Sequence, residues 1–419
     1  MSGPFKAPGA NWVERHARYS LGVVLRGLPH SQQHLDANRL TLLHFALVSL
    51  DCLGQLSQLS EKQRNVIVGW VHGLQGSSAA TSEIRRREKS PSGRRQRTYS
   101  FHREHSSNVG DACGRTGLDT PLPWRRSSPP YDAHLAMRYS ALAVLRTLNA
   151  DVSPPSCDEM LQGLRRLQRP EDGCFEAYQG GEHDMRFVYC AAAIVRLLPG
   201  IDKERRRTGA GAIDISLLTE YIARSQNYDG GIGLGPGQES HGGSTYCAVA
   251  ALALLGLPVL ARKGEVADDD IDPKHRCGVL NRRVVSWCVQ RYNQGIQGRV
   301  NKPCDSCYSW WVGATLALLV EDDNSVTRDN ACASPNGESG ESGACVQHMV
   351  VAATVVDFVL ACEKSATGGF GKFADERVPA DPLHTMFSLG GLSLGGFSKL
   401  ATMCPATAIR IDKLPNGPK

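Results

Sequence analysis

The chain has 419 residues, 41% hydrophobic and 21% charged, proportions typical of a folded globular protein. That length suits two or three average domains or one large repetitive one, and the longest apolar runs, such as 248–257, are about half of what spans a bilayer, so no membrane span is expected. The net charge of +5 would suit a nucleic-acid binder, but residues 76–128 hold eleven Lys/Arg and five Asp/Glu; the remainder carries −1, and no nucleic-acid partner is expected.

The N-terminal stretch MSGPFKAPGANWVERHARYS lacks the apolar centre of a signal peptide. The last four residues, Asn416 to Lys419, carry no prenylation motif. Apolar residues recur at helical spacing over 39–56, 61–75, 134–148, 157–168, 184–199, 213–225, 243–256, 278–292, 306–320, 347–362 and 384–394, with no convincing strand alternation. Between the second and third of these, residues 76–128 are rich in Ser, Pro and Arg and lack apolar periodicity. They read as a disordered insertion, with a basic docking or nuclear-targeting patch as the sharper alternative. Residues 322–345 read as a second, polar loop insertion. Most of the 14 cysteines, such as Cys190, Cys247, Cys288 and Cys362, lie inside apolar helical patterns. That placement suggests buried thiols in a reducing, cytoplasmic setting.

The predicted helices come in pairs with a shared grammar. One helix ends near Gln, a turn rich in Gly with Asp or Asn follows, and the next helix opens on an aromatic phrase. LQRPEDGCF precedes DMRFVYCAAA, SQNYDGGIG precedes GGSTYCAVAAL, YNQGIQGR precedes DSCYSWWVGATL, and TGGFGKF precedes LHTMFSLGGLSL. The aromatic positions Tyr139, Tyr189, Tyr246, Tyr308 and Phe387 stand 50, 57, 62 and 79 residues apart. Repeats of this size stack into an open solenoid or a closed ring. In a ring, the polar helix starts His134, Arg186, His241, Asp305 and His384 converge on one rim of a central cavity.

The segment 298–308, GRVNKPCDSCY, packs two cations, a carboxylate and two thiols together. Zinc accepts Cys sulfur, His nitrogen and Asp oxygen, and a catalytic site leaves a position open. Asp305 and Cys307 can share a metal at a turn entering a helix, and His384 starts the equivalent helix of the following repeat. Two alternatives stay open at this level: Cys304 and Cys307 as a CxxC metal or redox pair, and Asp305 as a helix N-cap. Arg299, Lys302 and His241 form a candidate diphosphate site, with His241 at a glycine-flanked helix start whose N–H groups favour an anion. A His at such a place also serves as a structural hydrogen-bonder.

Those four phrases, in order and at repeat spacing, resemble the β subunits of protein prenyltransferases over about residues 11–400, and most closely those of the type I geranylgeranyl branch. The resemblance implies an all-α fold, an α/α barrel paired with a helical α subunit. It implies Zn2+ on Asp305, Cys307 and His384. It implies diphosphate contacts from His241, Arg299, Lys302 and Tyr308, and an isoprenoid wall including Arg186, Tyr189, Cys247 and Trp311. Thr41 stands where the farnesyl branch carries a bulky Trp, which deepens the pocket for a geranylgeranyl chain. His134, Ala136, Phe187 and Leu383 match the pocket for the last residue of the acceptor, implying CaaX proteins ending in Leu, such as Rho-type small GTPases. Lys372 matches a lysine that replaces a magnesium-binding Asp, so Mg2+ is not expected to be required.

The implied reaction is attack of a zinc-bound acceptor thiolate on geranylgeranyl diphosphate, with the cations and Tyr308 receiving the leaving group. Farnesyl or Rab-type β subunits are the near alternative, and a non-catalytic or cyclase barrel the remote one. Cyclases need a DxDD-like acid, and 268–270 is an acidic run in a polar loop.

Overall fold

A computed structural model describes residue 9 and residues 11–28, 38–74, 134–152, 154–261, 278–331 and 353–415. Among these residues the fold is built from thirteen α-helices. In chain order they are α1 (Trp12–Arg26), α2 (Arg39–Cys52), α3 (Glu61–Gly73), α4 (Leu135–Thr147), α5 (Pro154–Leu167), α6 (Met185–Leu197) and α7 (Lys203–Arg207). Then follow α8 (Ile215–Arg224), α9 (Gly242–Leu255), α10 (Arg283–Val289), α11 (Tyr308–Ala331), α12 (Ala353–Ala361) and α13 (Pro382–Leu394). A two-residue antiparallel ribbon joins Tyr292–Asn293 to Gly295–Ile296.

Six helices close a ring. α2 packs on α4, α4 on α6, α6 on α9, α9 on α11, α11 on α13, and α13 returns to α2. These inner helices are apolar nearly all round. α9, for example, buries twelve of its fourteen residues, as a helix must when it has neighbours on both sides and an outer layer behind it. α1, α3, α10 and α12 pack outside the ring. The expected barrel is therefore the observed one, closed rather than open.

The closure has a repeated device. Gln168, at the end of α5, accepts from the Asp214 amide and donates to the Asp214 carbonyl before α8. Gln226, at the end of α8, does the same to Asn281 before α10. Glu363, at the end of α12, occupies the equivalent turn but binds α1: it accepts from Trp12 Nε1 and pairs with Arg15. The last repeat thus clasps the first outer helix as each earlier repeat clasps its successor.

Several expectations are corrected. α1 was absent from the predicted helices, because its buried stripe mixes Trp12, Val23 and Val24 with His16 and Ser20. The stretch 278–292 holds only the short α10. The helix α11 runs on to Ala331, through the first part of the loop predicted over 322–345; there Asp322 accepts from the amides of Val259 and Leu260. The rest of that loop, and 76–128, lie outside the described residues. The barrel also does not stop at 400. Residues 401–415 cross its base, where the amide of Ala401 donates to the Cys52 carbonyl at the end of α2.

Candidate active site

All the polar helix starts singled out from the sequence lie at the N-terminal ends of inner helices, and so on one rim. Asp184 caps α6, His241 caps α9, and Asp381 caps α13. Asp305 Oδ1 accepts from the Cys307 amide at 3.0 Å as the chain turns into α11. Asp305 thus closes the turn that leads into α11, a role that leaves its other carboxylate oxygen available.

Asp305, Cys307 and His384 each offer a ligand atom, all within 4.8 Å of one another. His384 Nε2 stands 3.2 Å from Asp305 Oδ1. Its Nδ1 stands 2.6 Å from Asp381 Oδ2, so the ring lies between two carboxylates. Burial works against charging His384, but the two carboxylates outweigh it and raise its pKa to about 9. Burial likewise opposes ionisation of Asp305, yet His384 and Cys307 hold its carboxyl below the ordinary range. Burial, and then the Asp305 charge, push the Cys307 thiol well up.

The carboxylates of Asp305 and Asp381 on either side of the His384 ring make the cluster attractive to positive charge. One carboxylate, one thiol and one imidazole, held together and largely buried, form a donor set that fits a metal and suits Zn2+. Asp381 adds the carboxylate–imidazole partnership that orients a ligating His. Sequence reasoning missed Asp381, although Asp-Pro-Leu-His is a legible helix start, with Pro at the first turn and the His amide three residues beyond the cap.

Cys304 is not part of the triad. Its Sγ donates to the Asn293 carbonyl, so CxxC does not act as a pair here. Lys372 does reach the site, its Nζ 3.7 Å from Asp305 Oδ2.

The candidate anion site adjoins the triad through consecutive residues. His241 Nδ1 accepts from the Gly243 amide at 3.0 Å, and its Nε2 lies 2.9 Å from Tyr308 Oη. A neutral imidazole carries one N–H. With Nδ1 an acceptor, Nε2 is the donor, and Tyr308 keeps its own hydroxyl proton to give away. Burial, and then Arg299, lower the His241 pKa, which favours the neutral imidazole over a third cation beside Arg299 and Lys302.

The helix-start amides are also less open than expected: Gly242 N donates to Gly298 O at 2.8 Å, and Gly243 N is spent on His241. Arg299 is held by Glu239 at 2.5 Å, a partner the sequence reading did not consider. Lys302 is exposed and forms no ion pair among the described residues.

Below the rim an aromatic belt lines the ring. His44 meets Tyr139 at 5.5 Å between centroids, Tyr139 meets Tyr189 at 5.4 Å, and Tyr189 meets Tyr246 at 5.5 Å. Tyr246 meets Trp311 at 5.1 Å, Trp311 meets Phe387 at 4.0 Å, and Phe387 returns to Phe45 at 5.6 Å. The belt member from α11 is Trp311, not Tyr308, so the aromatic spacing taken from the sequence was off by one helical turn at that repeat.

Thr41 lies on the same wall, its Oγ1 3.2 Å from Ser140 Oγ, and the Cys247 thiol is nearly buried. His134 meets Phe187 at 5.8 Å. Arg186 lies over the Phe187 ring and pairs with Asp184 and Glu182. Ala136 and Leu383 are half-buried. No described helix is long and apolar enough to cross a membrane.

Residues 12–409 match the model of the prenyltransferase alpha-alpha toroid domain, and the chain belongs to that family. The barrel is thus that of a prenyl-transferring protein. Within the family, the chain is 31% identical to the geranylgeranyl transferase type-1 subunit beta of Arabidopsis thaliana, over 98% of this chain and 92% of that one. It is 28% identical to the Dictyostelium discoideum protein of the same name, over 91% and 90%. The fold is shared with the Candida albicans protein geranylgeranyltransferase-I complexed with GGPP, at a TM-score of 0.58 and 19% identity, over 96% of both chains.

Proposed function

We propose that the chain is the catalytic β subunit of a zinc-dependent protein geranylgeranyltransferase of type I. It transfers geranylgeranyl from geranylgeranyl diphosphate to the cysteine of a C-terminal CaaX motif ending in Leu. The observation that carries this is one juxtaposition: the Asp305, Cys307, His384 triad shares a rim with the His241–Tyr308 pair, above an apolar belt.

Asp305, Cys307 and His384 would hold Zn2+, which when bound would lower the pKa of the acceptor cysteine so that it reacts as a thiolate at neutral pH. Asp381 fixes the His384 ring. Tyr308 donates a hydrogen bond from its hydroxyl to the departing diphosphate, while His241 Nε2–H donates to the Tyr308 oxygen from behind. Arg299 exchanges Glu239 for the diphosphate; both side chains are well exposed, so the exchange costs little. Lys302 and Lys372 add positive charge at the same point, and Lys372 is the reason Mg2+ is not required. The hydrocarbon lies along the belt, where water is excluded.

The likeness to proteins named as β subunits supports a partner α subunit, and Rho-type small GTPases are the acceptors this reading expects. A cytoplasmic location suits the ten described cysteines, none of which forms a disulfide. The small Thr41 favours the longer isoprenoid over the farnesyl alternative.

The test is the chain co-expressed with an α subunit and assayed with zinc. Geranylgeranyl diphosphate and a peptide ending in Leu should give the highest kcat/KM, unchanged by adding magnesium. Preferred farnesylation of a peptide ending in Ser would overturn the substrate assignment. His384→Ala should lose bound zinc together with activity, and full activity in that variant would remove the metal site.

A further inference from the structure

The segment after α13 is a turn whose tip enters the base of the barrel. Its arms pair where Met403 bridges Arg410. The Cys404 carbonyl closes the turn by accepting from the amides of Thr407 and Ala408. Ala408 sits at φ 56°, a left-handed conformation that only an over-determined setting holds in a residue with a Cβ. The tip leaves three successive carbonyls to be satisfied in a buried place, where unpaired groups are costly.

Three successive inner helices supply the donors. Tyr246 Oη lies 3.0 Å from the Pro405 carbonyl oxygen, Tyr189 Oη 3.2 Å from that of Ala406, and Tyr139 Oη 3.2 Å from that of Thr407. These are the same tyrosines whose rings make three of the seven members of the aromatic belt. The hydroxyls rest on the turn, so the turn and the tyrosine part of the belt are held to each other.

The arms are pinned beyond the belt as well. Ser393 Oγ donates to the Ala401 carbonyl and accepts from the Met403 amide. Arg410 reaches Asp51 at the end of α2. Arg196 at the end of α6 donates to the Pro415 carbonyl.

We propose that this C-terminal turn is the backing of the hydrocarbon site: it fixes the height of the tyrosine belt and so sets the longest isoprenoid that can be accepted. The inference rests on the proposed function, and deepens it by separating two determinants of length. Thr41 sets how far the chain reaches sideways along the wall. The turn sets how far the floor can yield.

The experiment uses the heterodimer with its full chain. First, the wild-type protein is assayed with the twenty-carbon and twenty-five-carbon prenyl diphosphates. Failure to use the twenty-carbon donor at all would defeat the proposed function itself. Use of the donor with no discrimination against the longer one would defeat only the present inference.

Second, Ser393→Ala combined with Arg410→Gln loosens the turn without altering any residue of the lipid wall. The ratio of kcat/KM between the two donors should then fall about tenfold, with zinc content unchanged. Hydrogen exchange over 401–411 should rise in the same protein. A loosened turn with an unchanged ratio would overturn the proposal. Unchanged exchange would overturn the assignment of these two pins. Tyr139→Phe with Tyr246→Phe removes two of the three donors to the tip, and should move the ratio in the same direction; no change there would also count against the backing role.

Discussion

At the scale of single residues, burial and charge decide which groups are ionised. Asp51 is buried at the end of α2, with Arg410 Nη1 at 3.3 Å from Oδ1. Burial raises its carboxyl from the ordinary 3.8 to about 6, and Arg410 recovers only part of that. The folded state therefore binds this proton more tightly than the unfolded chain does. Stability from the group is present in full below about pH 4 and is lost as the pH rises to about 6. Asp51→Asn should flatten that part of the profile and raise stability above pH 6, by at most ~3 kcal/mol. Thermal unfolding between pH 4 and 8 reads this, and a variant weaker at pH 7.5 than at pH 4 would show that the Arg410 pair outweighs burial. Gly298 poses a steric question instead. A Cβ there would overlap the Tyr308 ring. Gly298→Ala should push Tyr308 away from His241 and weaken isoprenoid diphosphate binding about tenfold, the order of one hydrogen bond to a charged group, while bound zinc stays level. Equal loss of both in a titration would contradict the separation of the two half-sites.

The start of α13 shows how one element combines folding with chemistry. Asp381 caps the helix through Oδ1 and orients His384 through Oδ2. The two duties can be separated by substitution. Asp381→Asn keeps a competent cap but loses the charge, whereas Asp381→Ala loses both. Both variants should bind zinc some 10–100-fold more weakly in competition with a chelating dye. Only the Ala variant should also lose about 1 kcal/mol of stability. An Asn variant with wild-type zinc affinity would reduce Asp381 to a cap alone. The same economy holds at α9, where the His241 ring caps the helix with one nitrogen and serves Tyr308 with the other.

For the whole molecule, the consequence of a ring is that no repeat is terminal. Glu363 achieves this for the outer layer by binding Trp12 and Arg15, with His16 Nε2 at 3.6 Å. Glu363→Ala leaves those donors without their acceptor and should cost ~2–3 kcal/mol in denaturant unfolding. Hydrogen exchange should then rise first over 12–26, because α1 is the outer helix that Glu363 clasps. A uniform rise across all helices would mean that the clasp belongs to one indivisible unit. The C-terminal turn performs the corresponding task at the base, touching α2, α4, α6, α9 and α13.

The amino-acid sequence by itself determined the helix pairs, their repetition and the chemistry of the zinc candidates, because periodicity and ligand type are local properties. Asp305 and Cys307 are two residues apart, and the repeat alone placed His384 on their rim. It also showed the apolar phrases that become the belt. What only the tertiary structure decided were matters of contact between distant residues. His241 is a neutral donor because one nitrogen is already occupied by Gly243. Glu239 shields Arg299 across 60 positions. The last fifteen described residues look like a tail in sequence, having neither periodicity nor a motif. They close the barrel because their bare carbonyls meet three tyrosine hydroxyls more than 150 residues away, and no local pattern encodes a partnership at that separation.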